Sequence, residues 1–148
     1  MQELEGYFKG LADRNRMRII NLLLHGELCV CDIQRILDAS QPNVSRHLNY
    51  LKHSGLVLDR REGFRVFYRL SDEGDSTLKG LCGFLCGAFK TERTLQADLR
   101  KLRQSIREGA CAIPQDRALH GRVAPLESRT FAQRLGRARS MGPTLARN

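Results

Sequence analysis

Ile33-Gln-Arg-Ile-Leu-Asp-Ala-Ser40-Gln-Pro-Asn-Val-Ser-Arg-His-Leu48-Asn-Tyr-Leu51 is the stretch that decides the fold. Two apolar stripes at helical spacing meet here across a short gap. Ile33, Ile36 and Leu37 mark the first. Val44, Leu48 and Leu51 mark the second, which opens on Ser40 as a cap with Pro42 in its first turn and ends near Gly55. Amphipathic helices joined by only a few residues around Asp38-Ala39 form a helix-turn-helix. With Val44, Leu48 and Leu51 inward, about 100° per residue turns Pro42, Arg46 and Asn49 outward. Asn43, Ser45 and Tyr50 then lie on the flanks, and Gln41 sits in the first turn.

Working outward, Leu4, Tyr7, Phe8 and Leu11 predict a first short helix, interrupted by Asp13-Arg14-Asn15. Met17, Ile20, Leu23 and Leu24 predict a second, stopped near His25-Gly26. The start of the third resembles a capping box, with Cys29 in the cap position and Asp32 three residues on. Downstream, Leu56 to Leu70 changes to period two. Phe64, Val66, Tyr68 and Leu70 alternate with Arg65, Phe67 and Arg69, and Glu62-Gly63 supplies the turn of a β-hairpin. After a polar break at Ser71, Leu78 to about Arg107 reads as one long last helix. The predicted architecture is mainly α with a β-hairpin wing: three helices, a recognition helix, a hairpin and a last helix, in a winged helix-turn-helix.

The 148 residues suit one domain, and 41% hydrophobic with 6% aromatic and no Trp predicts an aliphatic core. A net charge of +9 favours an anionic partner. Residues 1–109 carry +4 and read as the folded domain. Residues 110–148 carry seven arginines against Asp116 and Glu127, with three of the four prolines, and read as a basic, disordered tail. No apolar run approaches the roughly 20 residues that span a bilayer, and the N-terminus has no signal-peptide pattern. A cytoplasmic protein with no membrane partner is expected. There the five cysteines should be reduced, and their odd number argues against a disulfide framework. They fall as Cys29/Cys31, Cys82/Cys86 and Cys111.

Glu27-Leu-Cys-Val-Cys-Asp-Ile33, Ser40-Gln-Pro-Asn-Val-Ser-Arg-His-Leu48, Ser54-Gly-Leu-Val57, Arg60-Arg-Glu-Gly63 and Tyr68-Arg-Leu70 together resemble the ArsR/SmtB family over about residues 4–108. The resemblance implies a prokaryotic repressor, dimeric through its terminal helices, that leaves double-stranded operator DNA when a metal or metalloid binds. Cys-Val-Cys-Asp in the third helix is most similar to the arsenic- and antimony-sensing branch, and cadmium- and lead-sensing members share it. Arsenic sensors carry a third cysteine three residues after the second, where this sequence has Gln34. No cysteine precedes Cys29, and the last helix has no His for the zinc site of other members.

The residues themselves support that chemistry. Gln41, Asn43, Ser45, Arg46 and Asn49 are types that read base edges or phosphates. Arg60, Arg61 and Arg65 in the hairpin suit the DNA backbone or minor groove. His47 reads as a packing or phosphate-contacting residue. Soft As(III), Sb(III), Cd(II) and Pb(II) prefer thiolates, so Cys29 and Cys31 are the expected effector ligands, with Cys82 and Cys86 as further candidates. No permanent cofactor is implied. Inside a regular helix Cys29 and Cys31 would stand about 200° apart. They share an ion only if the first turn opens or the pair lies in the extended approach, so binding is expected to distort the start of the third helix. The helix amino end should also lower the thiol pKa. Cys82 and Cys86, four apart, stack on one helix side among Gly80, Gly83 and Gly87, and fit close packing between two last helices equally well. A thiol-redox or persulfide sensor, joining a cysteine of the third helix to one of the last, is the competing reading. No carboxylate pair, phosphate loop or activated nucleophile points to an enzyme.

Overall fold

Ile33, Ile36, Val44, Leu48 and Leu51 are all at most 1% exposed in the computed structural model, which describes residues 1–71 and 76–109. They belong to the two helices of the expected helix-turn-helix. The elements run α1 (Gln2–Leu11), α2 (Arg14–Leu23), β1 (Leu28–Cys29), α3 (Val30–Leu37), α4 (Gln41–His53), β2 (Val57–Glu62), β3 (Arg65–Leu70), α5 (Ser76–Ala88), a 3-10 turn (Phe89–Thr91) and α6 (Arg93–Arg107). The turn between α3 and α4 depends on Asp38, which takes the left-handed conformation at φ 53°. Aspartate tolerates that region better than most residues. Pro42 lies in the first turn of α4, where its missing N–H leaves no bond unmade. Gly55, at φ 74°, ends α4.

The core is aliphatic. Ile19, Ile20 and Leu22 from α2 join Leu56, Val57 and the α3–α4 stripe at 0–1% exposure. The buried face of α2 is wider than the expected stripe: Ile19 to Leu23 are all buried and Met17 is exposed. Asp13 ends the break after α1 by capping α2, accepting from the Arg16 amide at 3.0 Å. Among the described residues no helix is long and apolar enough to cross a membrane.

Five expectations need correction. A third strand exists: β1 pairs with β3 as Leu28↔Tyr68 and Cys29↔Phe67, so β3 is central in the order β1-β3-β2. Phe67, expected on the solvent side, is therefore buried, with the Arg60 guanidinium 4.6 Å from its ring centre. The hairpin turn is Gly63-Phe64, because Glu62 pairs with Arg65. Gly63, at φ 59°, takes the first turn position and Phe64 stands fully exposed at the tip.

The last helix is two helices. Leu78, Cys82, Leu85 and Phe89 form one buried stripe, whose continuation would fall on Arg93 and Gln96. The next buried stripe is Leu95, Leu99 and Leu102, out of phase by one residue. The extended backbone at Glu92 resets the phase. Finally, Cys29 occupies the N-cap of α3, but its side chain makes no capping bond, and the buried Asp32 Oδ1 has no hydrogen-bond partner among the described residues. The capping box is absent.

α6 is fastened to the helix-turn-helix by polar contacts. Arg18 donates to both oxygens of the buried Asp98 at 2.7 and 2.8 Å, and Asn21 Nδ2 donates to Leu95 O at 3.0 Å. Arg35 and Lys101 link α3 to α6 through Ser105 Oγ and Ile36 O. The basic tail expected over 110–148, and Cys111, lie outside the described residues.

Candidate nucleic-acid interface and thiol pair

The polar face of α4 is built by elimination. Val44, Leu48 and Leu51 are fully buried, which leaves Gln41, Arg46 and Asn49 exposed and Asn43 and Ser45 half-buried on the flanks. The five side chains expected to face DNA thus lie on one exposed helix face and its margins. His47 is mostly enclosed, its Nδ1 3.6 Å from Asp13 Oδ1 at the cap of α2. Asp13 is itself held below the usual carboxylate range. Burial pushes it up, but the Arg16 amide and the His47 and Arg16 charges outweigh that. Tyr50 is 45% exposed beneath the Arg16 guanidinium, 4.1 Å from its ring centre. Arg16 also donates to Gly10 O and Lys9 O, and so joins α1 to the recognition helix.

The wing arginines differ from one another. Arg61 and Arg65 are exposed near the tip, beside Phe64. Arg60 is engaged within the protein. Its Nε lies 2.9 Å from both oxygens of Glu27, its Nη2 also contacts Glu27, and its Nη1 donates to Glu62 at 2.7 Å. Sequence reasoning missed Glu27, Asn21 and Asp98, because each finds its partner far along the chain.

Cys29 and Cys31 straddle a boundary. Cys29 ends β1 in extended backbone and Cys31 lies in the first turn of α3. Their sulfurs are 2.9 Å apart, with Cys31 as thiol donor. That is well beyond the roughly 2.05 Å of a disulfide. The two thiols are therefore neighbours without any opening of the helix, and the extended approach, not an unwound turn, brings them together. The expected fall in thiol pKa is overturned for Cys29. Burial, then the thiol hydrogen bond with Cys31, pushes it above the ordinary cysteine value. Cys29 is 2% exposed, while Cys31 is half-buried and accessible.

On α5, Cys82 is buried and pushed up to about 11 by that burial, then by Cys86. Cys86 is half-buried. Among the described residues no three His, Cys, Asp or Glu side chains group into a metal-holding cluster, so Cys82 and Cys86 are not brought to the Cys29–Cys31 pair. The donor set at α3 is therefore the two thiols alone, among the described residues. Two adjacent thiols suit a soft, thiophilic centre that keeps other ligands of its own.

The chain matches the family described as bacterial regulatory protein, arsR family, over residues 13–58, from the cap of α2 to the start of β2. It is 58% identical over 65 residues to the arsenical resistance operon repressor of Escherichia coli, covering 43% of this chain and 56% of the relative. It is 48% identical over 66 residues to the cadmium resistance transcriptional regulatory protein CadC of Listeria innocua, covering 44% of this chain and 56% of that protein. The matched stretch thus spans little more than half the length of these two relatives. Among solved structures, HlyU from Vibrio cholerae superposes with a TM-score of 0.51 at 34% identity, over 56% of this chain and 87% of that one. By sequence, by architecture and by the helix-turn-helix that carries both, the chain belongs to the arsR family of bacterial regulatory proteins.

Proposed function

We propose that this chain is a transcriptional repressor, not an enzyme, that binds operator DNA in the cytoplasm as a homodimer and is released when As(III) or Sb(III) binds Cys29 and Cys31. The observation that carries the reading is the 2.9 Å approach of the two sulfurs at the head of the helix that braces α4. On binding, each thiol gives up its proton as an As–O bond is exchanged for an As–S bond and water leaves. α4 offers Gln41, Asn43, Ser45, Arg46 and Asn49 to the major groove, and the wing offers Arg61 and Arg65 to the backbone. Leu4, Phe8, Phe84 and Ile106 are 37–70% exposed on α1, α5 and α6, and supply apolar surface for a second copy. The arsenical resistance relative supports the metalloid effector.

The likeness to a cadmium resistance regulator favours Cd(II) as a second effector reading at the same thiols, and Pb(II) shares its preference for thiolates. Binding of the full chain to DNA in the presence of arsenite, antimonite, cadmium and lead separates the two. Cys29→Ser and Cys31→Ser should each abolish effector-driven release while leaving DNA binding intact. Cys82→Ser and Cys86→Ser should release normally. Normal release by both α3 variants would move the effector site away from these thiols.

A further inference from the structure

Among the wing arginines, Arg60 is partly exposed yet tied down by contacts within the protein. Arg60 on β2 pairs across the sheet with Phe67 of β3, and Phe67 pairs on its other side with Cys29 of β1. The Arg60 guanidinium covers the Phe67 ring and forks onto Glu27. Glu27 stands two residues before Cys29, and its side chain is only 19% exposed. A bidentate, partly enclosed Arg–carboxylate pair stacked on an aromatic ring is oriented far more firmly than an ordinary surface pair. β1 is two residues long and contributes few ladder bonds. Its seat on β3 therefore depends on what anchors its ends, and Glu27 anchors the first.

We propose that Glu27 and Arg60 form a latch that sets the orientation of the wing, with Arg60 positioning the wing and not contacting DNA, and that occupation of the Cys29–Cys31 pair reaches the wing by shifting the β1 segment that carries Glu27. The second half rests on the effector reading above. Ligation of one centre removes the thiol hydrogen bond between the two sulfurs and sets their separation by the geometry of that centre. Sulfurs around a tetrahedral zinc, for scale, stand about 3.8 Å apart. α3 is anchored by the buried Ile33 and Ile36, whereas β1 is the short element beside the pair. A shift of β1 moves Glu27 away from Arg60. Besides the packing of Val57, Tyr68 and Leu70 into the core, the wing is then tied to the recognition helix by Lys52 and Asp59 at 2.7 Å.

The test uses the full chain and a DNA duplex that the chain recovers from a randomised pool. The variants are Glu27→Gln, Arg60→Gln, their double and Arg60→Lys. A latch predicts that both single variants weaken DNA binding about three- to tenfold with an unchanged salt slope, and that the double is no weaker than either. Arg60→Lys, which keeps the charge and loses the fork, should fall with them. A phosphate contact predicts the opposite pattern. Arg60→Gln would flatten the salt slope by about one, Arg60→Lys would bind almost normally, and Glu27→Gln would bind more tightly through loss of a negative charge. That pattern overturns the latch.

Hydrogen exchange of the full chain with and without sodium arsenite tests the second half. Amides of 57–70 should lose protection on arsenite addition, and in Cys29→Ser they should not respond. Arsenite bound, by intact mass, with 57–70 unchanged overturns the transmission and leaves the effector reading standing. No arsenite bound overturns the effector reading and the transmission with it, while the latch is still decided by the DNA cycle.

Discussion

Arg46 and Asn49 were legible from the start, because a helix with a clean apolar stripe displays its opposite face without help from the rest of the fold. Both are exposed, and neither has a structural duty in the core. Arg46→Ala and Asn49→Ala are each expected to cost about 1–3 kcal/mol on the selected duplex and much less on random DNA. Equal losses on both, measured by fluorescence anisotropy at fixed salt, would assign the two residues to phosphate. Arg60 was not legible in the same way. Its sequence neighbours Arg61 and Glu62 say nothing of Glu27, 33 residues away, which takes up its guanidinium. Cys29 was half legible. The motif marks the thiol, but its raised pKa comes from burial, which is a property of the packed site.

At the scale of elements, α1 and α5 use glycine for opposite reasons. A Cβ at Gly10 would lie 2.5 Å from Leu56 Cδ1 and 2.8 Å from Ser54 Oγ. Leu56 is 1% exposed and has no room to retreat. Gly10 is what lets α1 close onto the segment that follows the recognition helix. Gly10→Ala should therefore lower stability by about 1–2 kcal/mol, overpacking outweighing the gain in helix propensity. A Cβ at Gly80 on α5 would meet nothing within 4 Å. Gly80→Ala should raise stability by about 0.5–1 kcal/mol. Urea unfolding of both variants checks the pair of signs, and a loss at Gly80 would show that a second copy covers this face in solution. The split between α5 and α6 was also written in the sequence, as the one-residue change of phase between Leu85-Phe89 and Leu95-Leu99. A single long amphipathic reading passes over it, because each stripe alone has a good helical period.

At the scale of the whole molecule, α6 returns to lie on α2 and α3, and brings buried polar groups together from opposite ends of the domain. Arg18 and Asp98 are 80 residues apart and form a bidentate pair with Asp98 almost wholly enclosed. His25, just past α2, is affected by the same return. Burial, then the charge of Arg103 on α6, holds its pKa below the ordinary 6.5. The folded state therefore binds fewer protons than the unfolded chain as pH falls through about 6.5. Stability is fully present above that value and declines as pH drops toward the folded pKa. His25→Gln should remove this part of the acid loss. Thermal unfolding at pH 7.5 and 5.5 should show a smaller drop in Tm for His25→Gln than for the parent, and equal drops would contradict the assignment.

What the sequence by itself determined is what depends on neighbours three, four or two residues away: the α3–α4 pair, its buried stripe, its exposed polar face and the hairpin. Local periodicity carries these, since the side chains that share a face are set by backbone geometry alone. Only the tertiary structure decided the third strand, the burial of Phe67, the Glu27–Arg60 fork and, among the described residues, the lack of a partner for Asp32 Oδ1 and of a third ligand beside the α3 thiols. Each of these depends on which distant segment arrives alongside. Cys29 shows the division most clearly. Its i, i+2 spacing with Cys31 is ambiguous in the sequence, opposed in a helix and aligned in a strand. The two-residue pairing of β1 with β3 resolves it, by holding Cys29 extended at the point where α3 begins.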